Sequence, residues 1–234
     1  EFAFAGGLGG FSPNAEGVER TADTIADALE TIEYTQGPNV HTNTNIHMGL
    51  QTVRKFLIDV NSGYRGQALH VIVLTDGNAQ NTAGTAQTRL EQELARFQQL
   101  EVAGVQRWAF GVGTQPNFST LAKIAPTHDT RRTIDGADSS GIYETTAATI
   151  IDENHFCETT TVTTSPTTTQ TTTPCSEVRA DLVFVIDASA SVLLGTTGTP
   201  CDVISVVQKF TEAVILTLGS FVSEDGIRVA AVTY

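Results

Sequence analysis

Asp181-Leu-Val-Phe-Val-Ile-Asp187-Ala-Ser189-Ala-Ser191 is the stretch whose reading decides the fold. From Leu182 to Ile186 it is a short apolar run of β-branched and aromatic residues. Such a run suits a strand buried on both faces of a parallel sheet. It ends on an aspartate followed by hydroxyls at alternate positions. A single Asp leaving a buried strand serves equally well as a helix N-cap or a turn former. A second strand ends in the same way, however: His70-Val-Ile-Val-Leu-Thr75 runs into Asp76-Gly77. Two strand-end carboxylates beside Ser and Thr hydroxyls are hard oxygen ligands, suited to Mg²⁺ or Ca²⁺ and poorly suited to zinc or copper. Few protein ligands and spare coordination positions favour Mg²⁺, which keeps its waters.

Working outward, helix patterns fall at Gly17–Thr31, Asn45–Asp59, Thr85–Ala103, Ser119–Ala125, Ser140–Asp152 and Asp202–Leu218. Short apolar runs lie between them: His70–Thr75, Val105–Phe110, Asp181–Ile186 and Ile227–Thr233. This alternation predicts an α/β fold with a doubly wound, mostly parallel, Rossmann-like sheet. Sheets of that kind bind ligands at the carboxyl ends of their strands, where Asp76 and Asp187 fall.

One segment breaks the pattern. Between Cys157 and Cys175 lies ETTTVTTSPTTTQTTTP, with eleven Thr, two Pro and no basic residue. It has no periodicity and almost nothing to bury, so it stays outside any core. Pro166 and Pro174 favour an extended path, which at about 3.1 Å per residue could reach roughly 50 Å. The segment reads as a plain disordered spacer or as an O-glycosylated stalk. Three parts follow: 1–157, the linker 158–174, and 175–234.

Composition narrows the function. The 234 residues carry Lys+Arg 13 against Asp+Glu 26, a net charge of −13. That balance argues against nucleic acid, which needs a basic surface. No apolar run approaches the roughly 20 residues of a membrane span. No secretory leader is evident, and the opening Glu-Phe-Ala-Phe reads like the middle of a domain.

The motifs together carry a resemblance. Asp187-Ala-Ser189-Ala-Ser191 resembles the D-x-S-x-S motif of von Willebrand factor type A domains. His41-Thr-Asn-Thr44-Asn-Ile-His-Met-Gly-Leu50 is similar to that family's threonine loop and following helix, and Leu74-Thr75-Asp76-Gly77 to its third motif. Asn61-Ser-Gly-Tyr-Arg65 and Phe110-Gly-Val-Gly113 fit as well. The resemblance implies a metal-ion-dependent adhesion site with Asp187, Ser189, Ser191, Thr44 and Asp76 as ligands. An acidic side chain of a partner would complete the coordination.

One departure concerns order. The D-x-S-x-S strand opens the family's domain, whereas here it follows the linker. Residues 1–157 therefore resemble the later part of a domain, from its third strand, near Glu1–Phe4, onward. Residues 175–234 resemble an opening part, with its first two strands and first helix. Either the chain is one period of a tandem array, or its two pieces close on each other as a circular permutant. The mid-domain opening favours the array. In several extracellular members of the family, cysteines at the two domain ends bridge each other. Cys175 would then pair with the next repeat's counterpart of Cys157. Direct Cys157–Cys175 pairing is the alternative for a chain that closes on itself. Cys201 is left as a small core residue, a free thiol or an intermolecular link.

Smaller signals add little. Asn117-Phe-Ser119 is an N-glycosylation acceptor and also a fitting helix N-cap. His41, His47, His70, His128 and His155 show no ligand spacing, and the cluster Gly6-Gly-Leu-Gly-Gly10 lacks the lysine of a phosphate loop. The leading expectation is an extracellular, adhesive or structural, non-enzymatic module of a repeating, filament-forming glycoprotein. Its partners are copies of itself or an extracellular protein supplying a carboxylate. A purely architectural fibre is a related reading. The alternative from another class is an Mg²⁺-dependent phosphatase or phosphotransferase with Asp187 as nucleophile. Such enzymes usually place a second carboxylate two residues on, where this chain has Ser189.

Overall fold

The computed structural model describes residues 22, 45–58, 66, 68–78, 85–101, 105–113, 116–126, 133–134, 140–153, 155–156, 177–187, 200–223 and 225–234. The elements run in the order α1 (Ile46–Ile58), β1 (Leu69–Thr75), α2 (Ala86–Glu101), β2 (Val105–Val112), α3 (Phe118–Ile124), β3 (Thr133–Ile134) and α4 (Ser140–Glu153). There follow β4 (His155–Phe156), β5 (Glu177–Val178), β6 (Ala180–Ile186), α5 (Pro200–Leu218) and β7 (Ile227–Thr233). Each strand and helix expected within these residues is present, with ends shifted by a residue or two. Of the helix expected over Gly17–Thr31, Ala22 alone is described, and it is helical and buried.

The main sheet has the strand order β3-β2-β1-β6-β7, and its paired strands are parallel. Strands β6 and β7, from beyond the linker, thus extend the sheet formed by β1, β2 and β3 from before it. In this chain the two pieces complete one sheet.

Strands of a parallel sheet are covered on both faces, which is why their sequences read as unbroken apolar runs. Along β1, Ile72 and Leu74 enter one core layer, while Leu69, Val71 and Val73 enter the other. In β6 the same alternation places Leu182, Phe184 and Ile186 on the first face and Val183 and Val185 on the second. The first layer is closed by Ala147 and Ile150 of α4 and by Val207, Phe210, Val214 and Leu218 of α5. The second is closed by Ile46, Leu50 and Val53 of α1 and by Leu90, Leu94 and Phe97 of α2. Helices on both faces make the sheet doubly wound.

Two charged contacts tie elements together. Arg228 in β7 clamps Asp181 in β6 with paired hydrogen bonds of 2.9 Å from Nε and Nη2. Arg54 of α1 donates to Glu93 of α2, which also receives Arg96 Nη1 at 2.9 Å.

A second, two-stranded antiparallel sheet pairs His155 with Val178 and Phe156 with Glu177. It joins the chain on the two sides of the threonine-rich segment. Cys157, Cys175, residues 158–174 and Glu1–Phe4 lie outside the described residues, and so do the expectations that fall on them. Cys201 belongs to the first turn of α5. Among the described residues, no helix is long and apolar enough to cross a membrane.

Candidate metal centre

Parallel pairing places the ends of β1, β6 and β7 side by side. Leu74 pairs with Ile186, and Ile186 with Thr233, so Asp187 leaves the sheet between Thr75 and Tyr234. Backbone bonds hold this edge one step beyond the strands: Asp187 N donates to Leu74 O at 2.9 Å, and Tyr234 N to Ile186 O at 3.2 Å.

Asp187 is buried, and its Oδ2 accepts the Thr75 hydroxyl at 2.6 Å. Thr75 Oγ1 in turn accepts Gly77 N–H at 3.1 Å. This relay turns the Asp187 carboxylate toward the β1 side of the edge. Asp76, also buried, stands beside it and accepts Asn78 N–H on Oδ1 at 2.8 Å. The turn after β1 needs glycine at position 77, because φ there is +74° and a Cβ would lie 2.8 Å from Asn117 O. Asn117 closes the turn from the other side by donating its N–H to Asp76 O at 2.7 Å. Its side chain meanwhile caps α3, accepting Thr120 N–H at 3.3 Å and the Ser119 hydroxyl at 2.9 Å. The cap role expected of Asn117 is therefore present.

The structure thus brings Asp76 and Asp187 to neighbouring strand ends. Thr44, Ser189 and Ser191, the other three expected ligands, lie outside the described residues. Thr44 stands two residues before α1, whose Gly49 is packed against Val185 and Tyr234. Ser189 and Ser191 follow Asp187 directly in the chain. Among the described residues, no group of three or more His, Cys, Asp and Glu could hold a metal ion. Two carboxylates beside the Thr75 hydroxyl are hard oxygen donors, which suit a hard cation.

Sequence reasoning missed two residues of this edge. Thr75 was read only as part of a motif, and its hydroxyl proves to bridge to Asp187. Tyr234 stands one residue beyond the apolar run Ile227–Thr233, and its partly buried ring packs on the second core layer with its hydroxyl oxygen buried. Its hydroxyl lies by Thr75 and Asp187 without making a well-formed hydrogen bond. Burial, with the charges of Asp187 and Asp76, raises its pKa well above the usual tyrosine value. An orphaned polar atom at the floor of an acidic edge fits a site built to hold one more group. Of the histidines whose side chains are described, His70 is buried and accepts Trp108 Nε1–H at 3.3 Å, and His47 is buried near Arg89 and Glu93.

A doubly wound sheet with acidic side chains at the carboxyl edge defines a class of α/β ligand-binding modules. The family model of the von Willebrand factor type A domain matches residues 12–147, more than half of the chain. The chain belongs to that family. Its members are in general non-enzymatic adhesion modules and commonly hold a divalent metal at a metal-ion-dependent adhesion site. No curated protein and no solved structure matches the chain. The family match ends before the linker, so the place of β6 and β7 in the sheet is a finding of the structure alone.

Proposed function

We propose that this adhesion-type module is extracellular and binds a divalent cation, Mg²⁺ or Ca²⁺, through Asp187, Ser189, Ser191, Thr44 and Asp76. The observation that carries the reading is the convergence of Asp76 and Asp187 at adjacent strand ends, with Thr75 fixing the second carboxylate at 2.6 Å. A bound cation would neutralise two buried acids and present open positions to a partner's carboxylate. The two acids bind and orient, and two residues beyond Asp187, where such phosphatases usually place a second carboxylate, this chain has Ser189. We therefore read the chain as a binding protein and not as a phosphatase.

The threonine-rich linker between two cysteines supports a secreted glycoprotein whose stalk carries sugars. The pairing of β6 with β1 within one chain supports the alternative in which the two pieces close on each other, so that each chain forms one module. Head-to-tail repetition of such modules would form an open filament. The net charge of −13 keeps such a fibre soluble.

Isothermal titration of the EDTA-stripped 234-residue chain with Mg²⁺ and with Ca²⁺ tests the central claim. One saturable cation per chain, lost in Asp187→Ala, is the expected result. A flat titration in the folded wild-type chain would overturn it.

A further inference from the structure

Tyr234 combines three features that its role as the end of a strand does not explain. First, its ring has been given room. A Cβ on Gly49 would lie 2.6 Å from Tyr234 Cδ1 and 2.7 Å from Val185 Cγ1, so only glycine at that place in α1 admits the ring. Second, the phenol oxygen is buried, although the residue as a whole is only partly so, and that oxygen has no hydrogen-bond partner of good geometry. Third, that oxygen points at the acidic edge, where Thr75, Asp187 and Asp76 are its polar neighbours.

A buried hydroxyl left unpaired destabilises a fold, whereas phenylalanine would fill the same space without that cost. The hydroxyl is intelligible if it gains its partner in a second state of the site. Asp187 sits between Thr75 and Tyr234 across the sheet edge, and the Thr75 side is already bonded. We propose that Tyr234 is a positioning residue of the cation site, whose hydroxyl donates to the Asp187 carboxylate when a cation is held. Asp187 is then clamped from both sides, by Thr75 from β1 and by Tyr234 from β7. Outer groups that fix a ligating carboxylate in this way set both its orientation and the affinity of the metal. The inference rests on the cation-binding reading of this edge.

The test is the Tyr234→Phe variant of the 234-residue chain, stripped with EDTA, titrated calorimetrically with Mn²⁺, and melted in EDTA. Wild type and Asp187→Ala run beside it. The expected result is Mn²⁺ affinity weakened about tenfold in Tyr234→Phe. Its melting temperature in EDTA should equal or exceed that of wild type, since the variant removes an unpaired buried hydroxyl. Opposite signs in the two measurements separate positioning from mere packing. Unchanged Mn²⁺ affinity, with Asp187→Ala no longer binding, overturns this proposal and leaves the cation site standing. A melting temperature in EDTA that falls together with affinity also overturns it, because the hydroxyl would then be structural. A wild-type chain that takes up no Mn²⁺ overturns the cation site and the role of Tyr234 with it.

Discussion

The Thr75 hydroxyl donates to Asp187 Oδ2 across 2.6 Å, although 112 residues separate the two in the chain. Neither segment can build this edge alone. Thr75 ends the central strand β1, and Asp187 ends β6, which reaches that position only after the threonine-rich linker has been crossed. The hydrogen bond therefore reports both the closure of the sheet and the preorganisation of an acidic site.

Thr75→Val keeps shape and volume but leaves Asp187 and Gly77 N–H each short of a partner. Stability should fall by about 1–3 kcal/mol, the usual penalty for stranded buried polar groups. Urea unfolding of the two chains at the same pH measures it. A variant as stable as wild type would show that the relay contributes nothing to the fold.

The Arg228–Asp181 pair is bidentate, with a buried carboxylate and a half-buried guanidinium, so losing one member should hurt more than losing both. Arg228→Met should cost about 3–5 kcal/mol, because it strips a buried carboxylate of its cation. Asp181→Leu combined with Arg228→Met should recover part of that loss. Equal unfolding midpoints for the single and double variants would speak against this account.

Acid should weaken the fold through His47. Burial, and after it the Arg89 guanidinium, lowers its pKa below the ordinary 6.5, with Glu93 opposing. Between the unfolded and folded pKa values the unfolded chain binds the extra proton, so stability falls as pH drops through that window. The melting temperature should decline from about pH 7 to about pH 5, and the decline should be shallower in His47→Gln. Parallel profiles for both proteins would remove His47 from the explanation.

The pairing of β4 with β5 bears on the cysteines. Phe156 pairs with Glu177, and Cys157 follows the one in sequence while Cys175 precedes the other by two positions. Peptide mapping without reductant should recover Cys157 linked to Cys175, with Cys201 as a free thiol. Recovery of a link that includes Cys201 would contradict this assignment.

Residues 175–234 expressed alone should not fold. Strand β6 lies between β1 and β7, so the fragment loses one whole ladder and the helices that cover one face. A piece of about 60 residues buries too little to offset that. Circular dichroism and urea titration should show no cooperative transition. A monomeric fragment with a sharp transition would show that residues 175–234 need no strand from the part before the linker.

Local pattern was enough to read the alternation of elements. A strand covered on both faces must be apolar throughout, and Leu182–Ile186 and Val71–Leu74 announce themselves by that alone. Helices α1 and α2 show their buried stripes for the same reason. The two site acids were legible because each stands within a few residues of a strand end, where a motif is short enough to see. Arg228 and Asp181 left a fainter signal, as lone charges inside apolar runs, and only their pairing explains them.

The sequence by itself therefore determined the kind of sheet, its helices and the acids at its edge, since these follow from burial and from contacts between near neighbours. Tertiary structure alone decided that β6 enters beside β1, that β4 and β5 bring the two sides of the linker together, and that the Tyr234 hydroxyl lies buried by Asp187. Those relations join residues far apart in the chain. Their energy comes from ladders and packing that exist only once the sheet has closed, and no local periodicity can encode them.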